Sequence, residues 1–191
     1  MDLLAEGRLA HVTVHRLARE LDYTPGALYR YFPSMEALLA HMQRVAIASL
    51  QMRLTQAVSA LPPESEALDR LRAAANAYLQ STVDAPHEMS LIGQMLSAPR
   101  ELIGDEENRE TLPRIAAVLH FVEELIVAAQ DSAALTPGHA RERTVELWAA
   151  LQGAVALDKL RRFDATLFSA AKVGARLVES VLSGWGARPR A

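Results

Sequence analysis

The stretch that decides the fold runs from Thr13 to Leu39 and reads TVHRLARELDYTPGALYRYFPSMEALL. Its apolar residues recur at helical spacing in two short runs, and the break between them falls at Asp22 and Tyr23. Aspartate is one of the few residues besides glycine that tolerate the left-handed backbone common at helix ends. Thr24 then suits the N-cap of a second helix, with Pro25 at the first position, where no backbone donor is needed. The stretch therefore predicts a helix-turn-helix, a motif whose second helix enters the major groove of DNA.

The predicted second helix divides its residues between an inner and an outer face. Leu28 and Phe32, four residues apart, point back to the first helix. Hydroxyl and guanidinium groups on the outer face are donors of the kind that reach phosphate oxygens, and Gly26 lets the backbone approach the groove. These residues would also suit a surface helix that touches no DNA, and Arg30 could read a base or hold a phosphate. The candidate DNA contacts are Thr13, Arg16, Thr24, Pro25, Gly26, Ala27, Tyr29, Arg30 and Tyr31.

The order of these residues resembles the tetracycline-repressor (TetR) family of transcriptional regulators. That family has a capped helix with Leu-Ala, a turn, and a small recognition helix ending in Leu-Tyr-x-His/Tyr-Phe. The matching segments here are Leu17-Ala18, TPGALYRYF at 24–32 and SMEALL at 34–39. Two positions depart from the pattern: Asp22 replaces a turn glycine, and Met35 replaces a lysine that usually faces phosphate. The resemblance implies a DNA-binding domain at 1–44 and an effector-binding and dimerisation domain at 45–191.

Composition favours helices and excludes several classes of protein. Half of the 191 residues are hydrophobic, only 5% are aromatic, and there is no cysteine. Disulfides, thiol catalysis and cysteine-ligated zinc are therefore excluded. Since no apolar run is long enough for a membrane span and no signal peptide opens the chain, we expect a cytoplasmic protein without a membrane partner. The net charge is −3, and residues 1–44 carry five arginines against five acids, whereas phosphate binding usually goes with a basic excess.

No segment shows the two-residue period of a strand, so the sequence predicts an all-α protein with about nine helices. A very short first helix ends before Gly7, and we expect the natural chain to extend upstream by more of a basic, amphipathic helix. After the helix-turn-helix, helices are predicted at about 34–61, 65–82, 86–97, 109–133, 140–160 and 165–182. Residues 98–108 are predicted to form a charged loop, with Pro113 in or near the first turn of the following helix.

The last two predicted helices are apolar over more of their surface than one core requires. We therefore expect each to bury one side in its own subunit and another in a homodimer interface, with Gly174 allowing close approach of the partner. Trp148, Gln152 and Gly153 resemble a Trp-x-x-x-His-Gly signature of one TetR-family C-terminal type, with Gln152 in place of histidine.

The same resemblance implies a small-molecule site among the C-terminal helices. Pockets between bundle helices are mostly apolar with a few polar groups. Methionines and scattered aromatics at helical spacing are also ordinary core residues, and His120 would equally suit solvent or a satisfied core position. The candidate ligand contacts are Tyr78, Met89, Gln94, Met95, His120, Phe121, Trp148 and Gln152. His11 and His15 have metal-binding spacing, but His11 lies outside the predicted helix and no carboxylate completes a site, so no metal or cofactor is predicted.

Together these features predict a ligand-responsive transcriptional regulator, a repressor that binds palindromic operator DNA as a homodimer. A small, largely apolar effector would release it by binding the conformation that does not bind DNA. An alternative is a dimeric small-molecule binder with weak or lost DNA binding, which the charge balance and Met35 leave open. An enzyme is not predicted, because the chain has no cysteine nucleophile, glycine-rich phosphate loop, serine elbow or paired carboxylates beside a base.

Overall fold

The computed structural model of the chain describes residues 16, 18, 19, 22–97 and 105–188, without the side chains of Pro25, 95–97 and 105–108. No strand occurs in this part of the chain, and Arg16, Ala18 and Arg19 are helical. The α-helices are α1 (Pro25–Tyr31), α2 (Met35–Ser59), α3 (Ala67–Asp84), α4 (Pro86–Ser97), α5 (Asp105–Asp131), α6 (Ala140–Leu157) and α7 (Ala170–Gly184), with a 3₁₀ segment at Asp158–Arg162. The all-α prediction is confirmed, and the count of about nine helices stays approximate.

The turn before α1 has the predicted geometry. Asp22 has a φ of 55°, in the left-handed region. The N–H of Tyr23 donates to the carbonyl of Ala18 at 2.9 Å, and that of Asp22 to the carbonyl of Arg19 at 3.4 Å. This pair of bonds is the Schellman arrangement that closes a helix C-terminus. On the other side of the turn, the N–H of Ala27 donates to Thr24 Oγ1 at 3.2 Å, so the predicted cap of α1 is confirmed.

The next helices begin close to the predicted positions. Ser34 caps α2 by accepting from the N–H of Ala37 at 3.0 Å. The predicted stripe of α3 is buried throughout; its members are Leu68, Leu71, Ala75, Tyr78 and Leu79. Pro86 opens α4 as predicted.

The prediction for the start of α5 is wrong. Residues 105–108 belong to this helix and not to a loop, and residues 98–104 lie outside the described part. Pro113 is therefore inside the helix and not in its first turn. Because proline has no N–H, the bond to the carbonyl four residues earlier is missing there.

The predicted boundary between the last two helices is also wrong, since α6 ends at Leu157 and α7 begins only at Ala170. Asp158 Oδ1 accepts from the N–H of Ala170 at 2.8 Å, which holds the two ends of the connection together. Asp164 Oδ1 accepts from the N–H groups of Thr166 at 2.8 Å and Leu167 at 3.0 Å. These hydrogen bonds hold the backbone in turns where the apolar pattern alone predicted helix.

The chain divides into two compact units. The first unit combines residues up to Ala48 with Ala85–Ile115, and Ala18, Leu28 and the half-buried Met35 pack together in it. The second unit combines Ser49–Asp84 with Ala116–Ala191, and in it α6 packs on α7 and both pack on α3. The division into functional domains at 1–44 and 45–191 stays a prediction.

Gly174 packs inside the second unit. A Cβ built on Gly174 would lie 2.4 Å from Cδ2 of Leu79 on α3, so this glycine allows α7 to approach α3 within one subunit. The expected role of Gly174 at the dimer interface is therefore wrong. Within the described residues, no helix has both the length and the apolar character that crossing a membrane requires.

Candidate DNA-binding and effector sites

Helix α1 has one face that is buried in the core and one face that is exposed to solvent. Leu28 is 9% exposed and packs against Ala18, which is fully buried. Tyr29 is 47% exposed and Tyr31 is 68% exposed. Thr24, Gly26 and Arg30 are also exposed, while Ala27 is half-buried. Large aromatic side chains that stand out from a seven-residue helix gain little from the fold itself, so this face is available to a partner.

Two details suit the outer face of α1 to a polyanionic partner. The guanidinium carbon of Arg30 lies 5.6 Å from the ring centroid of Tyr31, so the aromatic ring supports a cation that remains exposed. A Cβ built on Gly26 would meet no atom within 4 Å. The backbone at Gly26 is therefore open, and the protein itself does not require a glycine for space there.

Met35 has a different role from the lysine that the family usually places at this position. Its side chain is half-buried and packs against the Ala18–Leu28 cluster. The side chain therefore contributes to the core of the helix-turn-helix. A thioether carries no charge for a phosphate, so one phosphate contact typical of the family is absent from this position.

The remaining candidate DNA contacts are partly described. Arg16 is helical and exposed. Thr13 and the side chain of Pro25 lie outside the described residues. The predicted face consequently consists of the exposed residues of α1, its cap Thr24, and Arg16.

Two of the candidate ligand contacts meet inside the second unit. Tyr78 on α3 is 5% exposed, and its hydroxyl donates to Oε1 of Gln152 on α6 at 2.5 Å. Burial raises the pKa of Tyr78, so the phenol keeps its proton and remains a donor. Trp148 lies one turn before Gln152 on α6 and is half-buried. Tyr78 and Gln152 thus form a neutral hydrogen-bonded pair between α3 and α6, with Trp148 one turn away from Gln152.

The other candidate ligand contacts do not form one described cluster. His120 is 68% exposed and lies beside Glu123 at 3.8 Å and Glu124 at 3.5 Å, and its neighbour Phe121 is half-buried. Met89 belongs to the first unit and is 5% exposed. Also in that unit, Gln94 Nε2 donates to Ser90 Oγ at 3.0 Å, and the side chain of Met95 lies outside the described residues.

Two buried polar residues were not among the predicted sites. Arg72 is 5% exposed and makes two hydrogen bonds to the carboxylate of Glu179, at 2.8 and 2.9 Å, which tie α3 to α7. Gln43 is 1% exposed. Both interrupt apolar stripes at helical spacing, Arg72 four residues after Leu68 and Gln43 four residues after Leu39. A polar residue within an apolar stripe is visible in the sequence, so both residues could have been singled out from it.

Comparison with known proteins agrees with this geometry. Residues 1–42 match the family model described as bacterial regulatory proteins, tetR family. None of the curated proteins compared with the chain matches it in sequence.

Several solved structures have the same fold over nearly their whole length. A bacterial regulatory protein of the tetR family from Rhodococcus RHA1 has a TM-score of 0.74 at 21% identity, covering 98% of this chain and 93% of that one. AibR, in complex with isovaleryl coenzyme A and operator DNA, has a TM-score of 0.73 at 14% identity, covering 94% and 91%. FadR from Bacillus subtilis, in complex with stearoyl-CoA, has a TM-score of 0.76 at 12% identity, covering 96% and 94%.

The capped second helix, its exposed polar face and the all-α fold are typical of helix-turn-helix transcriptional regulators. Residues 1–42 match the tetR family model, so this N-terminal segment is similar to the DNA-binding part of that family, and over the whole chain the solved structures share the fold.

Proposed function

We propose that the chain is a ligand-responsive repressor that binds palindromic operator DNA as a homodimer and is released by a small-molecule effector. The observation that carries the proposal is the outer face of α1, where Tyr29, Arg30 and Tyr31 are exposed on a helix capped by Thr24. Hydroxyl and guanidinium groups at this position suit contacts with phosphates and base edges. Since its target is genomic DNA, the protein acts in the cytoplasm.

The homodimer is supported by the outer face of α6. This helix carries no charged residue from Leu147 to Leu157. Val145 is 49% exposed and Leu157 is 43% exposed. The small residues between them that are also exposed are Ala149, Gly153 and Ala156. An uncharged face with small residues along its middle suits close packing against the same face of a second copy.

Helix α7 contributes less to this surface than the sequence indicates. Its buried stripe is used inside the subunit, and its residues are Ala170, Gly174, Val178 and Leu182. Lys172 and Arg176 are among its exposed residues, while Val173, Leu177 and Val181 are half-buried. The half-buried valines and leucine are the part of α7 available to extend the α6 interface.

The effector is proposed to be small and largely apolar. The neutral side chains of Tyr78 on α3 and of Trp148 and Gln152 on α6 could orient such a molecule. Two proteins of this fold bind isovaleryl coenzyme A and stearoyl-CoA, whose coenzyme A part is large and anionic, so these compounds should be titrated beside neutral apolar ones. An effector releases DNA only to the extent that it binds the DNA-free conformation more tightly.

Electrophoretic mobility shift on the DNA next to the protein's own gene tests the proposal. The wild type should form a discrete complex in the presence of excess nonspecific DNA. Arg30→Ala should weaken this complex by about 1–3 kcal/mol, roughly 5- to 150-fold in Kd. Arg141→Ala is the matched control, because Arg141 is an exposed arginine on α6, outside the predicted DNA-binding domain.

Two results would contradict the proposal. Equal affinity of wild type and Arg30→Ala would show that α1 is not the docking helix. No specific complex at any tested promoter, with an intact dimer, would favour the alternative of a small-molecule binder without DNA binding.

The dimer is tested separately by light scattering at micromolar concentration. A stable interface buries more than about 1,000 Å² in total, and an arginine in its centre leaves an unpaired charge. Ala149→Arg should therefore shift the protein towards monomer. The same change at Ala117 should leave the dimer intact, because this exposed alanine lies on a face of α5 that also carries the exposed polar residues His120 and Glu124. A wild-type monomer would refute the dimer.

A further inference from the structure

One buried polar group in the first unit has no explanation in the fold. Gln43 lies on α2 and is 1% exposed, yet its Oε1 accepts no hydrogen bond from any residue that the structure describes. Buried acceptors are nearly always paired, and an unpaired one costs stability comparable to a lost hydrogen bond. Leucine at this position would avoid that cost, so the glutamine is a candidate to accept a hydrogen bond from a bound molecule.

The surroundings of Gln43 along α2 are apolar. Leu39, Ala46 and Ile47 lie on the same side of the helix at spacings of three and four residues, and all are buried. In the same unit, α4 contributes the buried residues Met89, Leu91 and Ile92. A molecule that satisfies Gln43 in this unit would therefore have an apolar body and one polar group.

Helices α2 and α5 come together at the level of Gln43. Arg44, the next residue, pairs with Glu110 on α5 at 3.3 Å. Thr111, which follows Glu110, is 1% exposed and is already partnered. Because Glu110 is engaged by Arg44, it is not free to balance a cationic ligand, and burying an unbalanced cation is far more costly than burying a neutral donor.

A lone water is a poor candidate for the missing donor. Buried waters are stable when two to four polar partners surround them. At Gln43 the neighbouring side chains on the helix are apolar, and Thr111 is already partnered. An amphiphilic molecule supplies its own apolar contacts and needs only one hydrogen bond.

We propose that the Oε1 atom of Gln43 is a ligand-binding group that accepts a hydrogen bond from the hydroxyl or N–H of a neutral, largely apolar molecule. The inference rests on the proposed effector response and offers Gln43 as an alternative to the Tyr78–Gln152 pair for the effector's polar contact: the effector then carries a donor and no positive charge. The site lies on the helix whose first residue, Met35, packs against the core of the helix-turn-helix. A molecule bound at Gln43 would therefore contact the helix that continues directly from the DNA-binding motif.

The test uses 1-octanol and its methyl ether, 1-methoxyoctane, titrated calorimetrically into the full-length protein without DNA. The two probes share an apolar chain, and only the alcohol can donate a hydrogen bond. The wild type should bind octanol about 10-fold more tightly than the ether, because the ether leaves the acceptor unpaired. In Gln43→Leu the two probes should bind within about 2-fold of each other, since the acceptor is gone. Gln56→Leu, the same change at an exposed position of α2, should keep the preference.

Thermal unfolding supplies a second readout. Removing an unsatisfied acceptor should leave the Tm of Gln43→Leu equal to or above that of wild type. A lower Tm would mean that the glutamine already has a partner in the ligand-free protein, which overturns the proposal. It is also overturned by an alcohol preference that persists in Gln43→Leu, by the absence of saturable octanol binding to wild type, or by a crystal grown with octanol that has only water at Oε1. Since none of these measurements involves DNA, their failure is distinguishable from a failure to bind the operator.

Discussion

Replacement of Gly174 by alanine tests how tightly α7 packs on α3. The new Cβ would lie 2.4 Å from Cδ2, 2.7 Å from Cδ1 and 3.1 Å from Cγ of Leu79. Leu79 is 3% exposed, so its side chain has little room to turn away. The substitution should therefore destabilise the subunit itself, whatever its state of association.

The magnitude follows from two opposing effects. Alanine within a helix stabilises a protein by about 0.5–1 kcal/mol relative to glycine. Overpacking a well-filled core costs about 1–3 kcal/mol. Gly93 on α4 is the matched control, because a Cβ built there meets no atom within 4 Å and should give only the favourable effect. The difference between Gly174→Ala and Gly93→Ala is therefore the overpacking cost, about 2–12 °C in Tm for a chain of this size.

Thermal unfolding of both variants by circular dichroism measures this difference. In a Leu79→Ala background the substitution Gly174→Ala should cost less, because the shorter side chain leaves room for the Cβ, and the double-mutant cycle should give a coupling of about 1 kcal/mol or more. Equal stability of Gly174→Ala and Gly93→Ala would refute the packing argument. So would additive effects of Gly174→Ala and Leu79→Ala.

Three further predictions concern α1, Tyr78 and Met35. Tyr29→Phe should weaken operator binding without lowering Tm, because the hydroxyl is exposed; unchanged affinity in the mobility shift would exclude a hydrogen bond to DNA. Burial raises the pKa of Tyr78, so stability should fall as the pH rises above the unfolded tyrosine pKa of about 10, and this fall should be smaller in Tyr78→Phe when urea unfolding is followed against pH. Met35→Lys should lower Tm by removing apolar packing and steepen the salt dependence of operator binding by about one unit in the log–log slope; an unchanged slope would place position 35 away from phosphate.

The helix-turn-helix could be predicted from sequence because its geometry is local. Asp22 and Thr24 act on backbone groups within a few residues of themselves, and both do so as expected. Leu28 is buried as its helical spacing predicts. With these short-range hydrogen bonds and this apolar contact, a stretch of this length has few alternative structures of similar stability.

The start of α7 was predicted wrongly, because side-chain acceptors hold the backbone before it in turns, and one of these interactions is not local. Asp158 and Ala170 are twelve residues apart, and their hydrogen bond holds the intervening chain out of the helix. Helix propensity and apolar spacing continue through Leu167, which the structure leaves 61% exposed in a turn. Sequence periodicity shows which residues are apolar. It does not show whether a distant side chain accepts a hydrogen bond from a backbone N–H group.

Only part of the candidate effector site could be predicted from the sequence. Tyr78 and Gln152 were both predicted, and they meet in a hydrogen bond between α3 and α6. Gln43 was missed although its position in an apolar stripe is visible in the sequence. Whether a buried amide finds a partner depends on the helices packed around it, and only the structure reveals that its Oε1 has none among the described residues.

The balanced charge of residues 1–44 makes the proposed homodimer more important for the proposed DNA binding. Residues 1–44 carry five arginines and five acids, and α1 itself carries a single cation, Arg30. Each phosphate that a protein neutralises adds about 0.9 to the slope of log affinity against log salt concentration. A single copy that makes few phosphate contacts therefore gains little of its affinity from electrostatic attraction. The face of α1 must then supply more of the binding through its tyrosines and through base contacts, which depend on geometry and not on charge.

Such contacts from one seven-residue helix are few. Joining two copies makes the contact with the second half-site intramolecular, which multiplies affinity without any new contact. The uncharged face of α6 and the exposed face of α1 therefore belong to one proposal: where residues 1–44 carry balanced charge, operator binding gains from a second copy held beside the first.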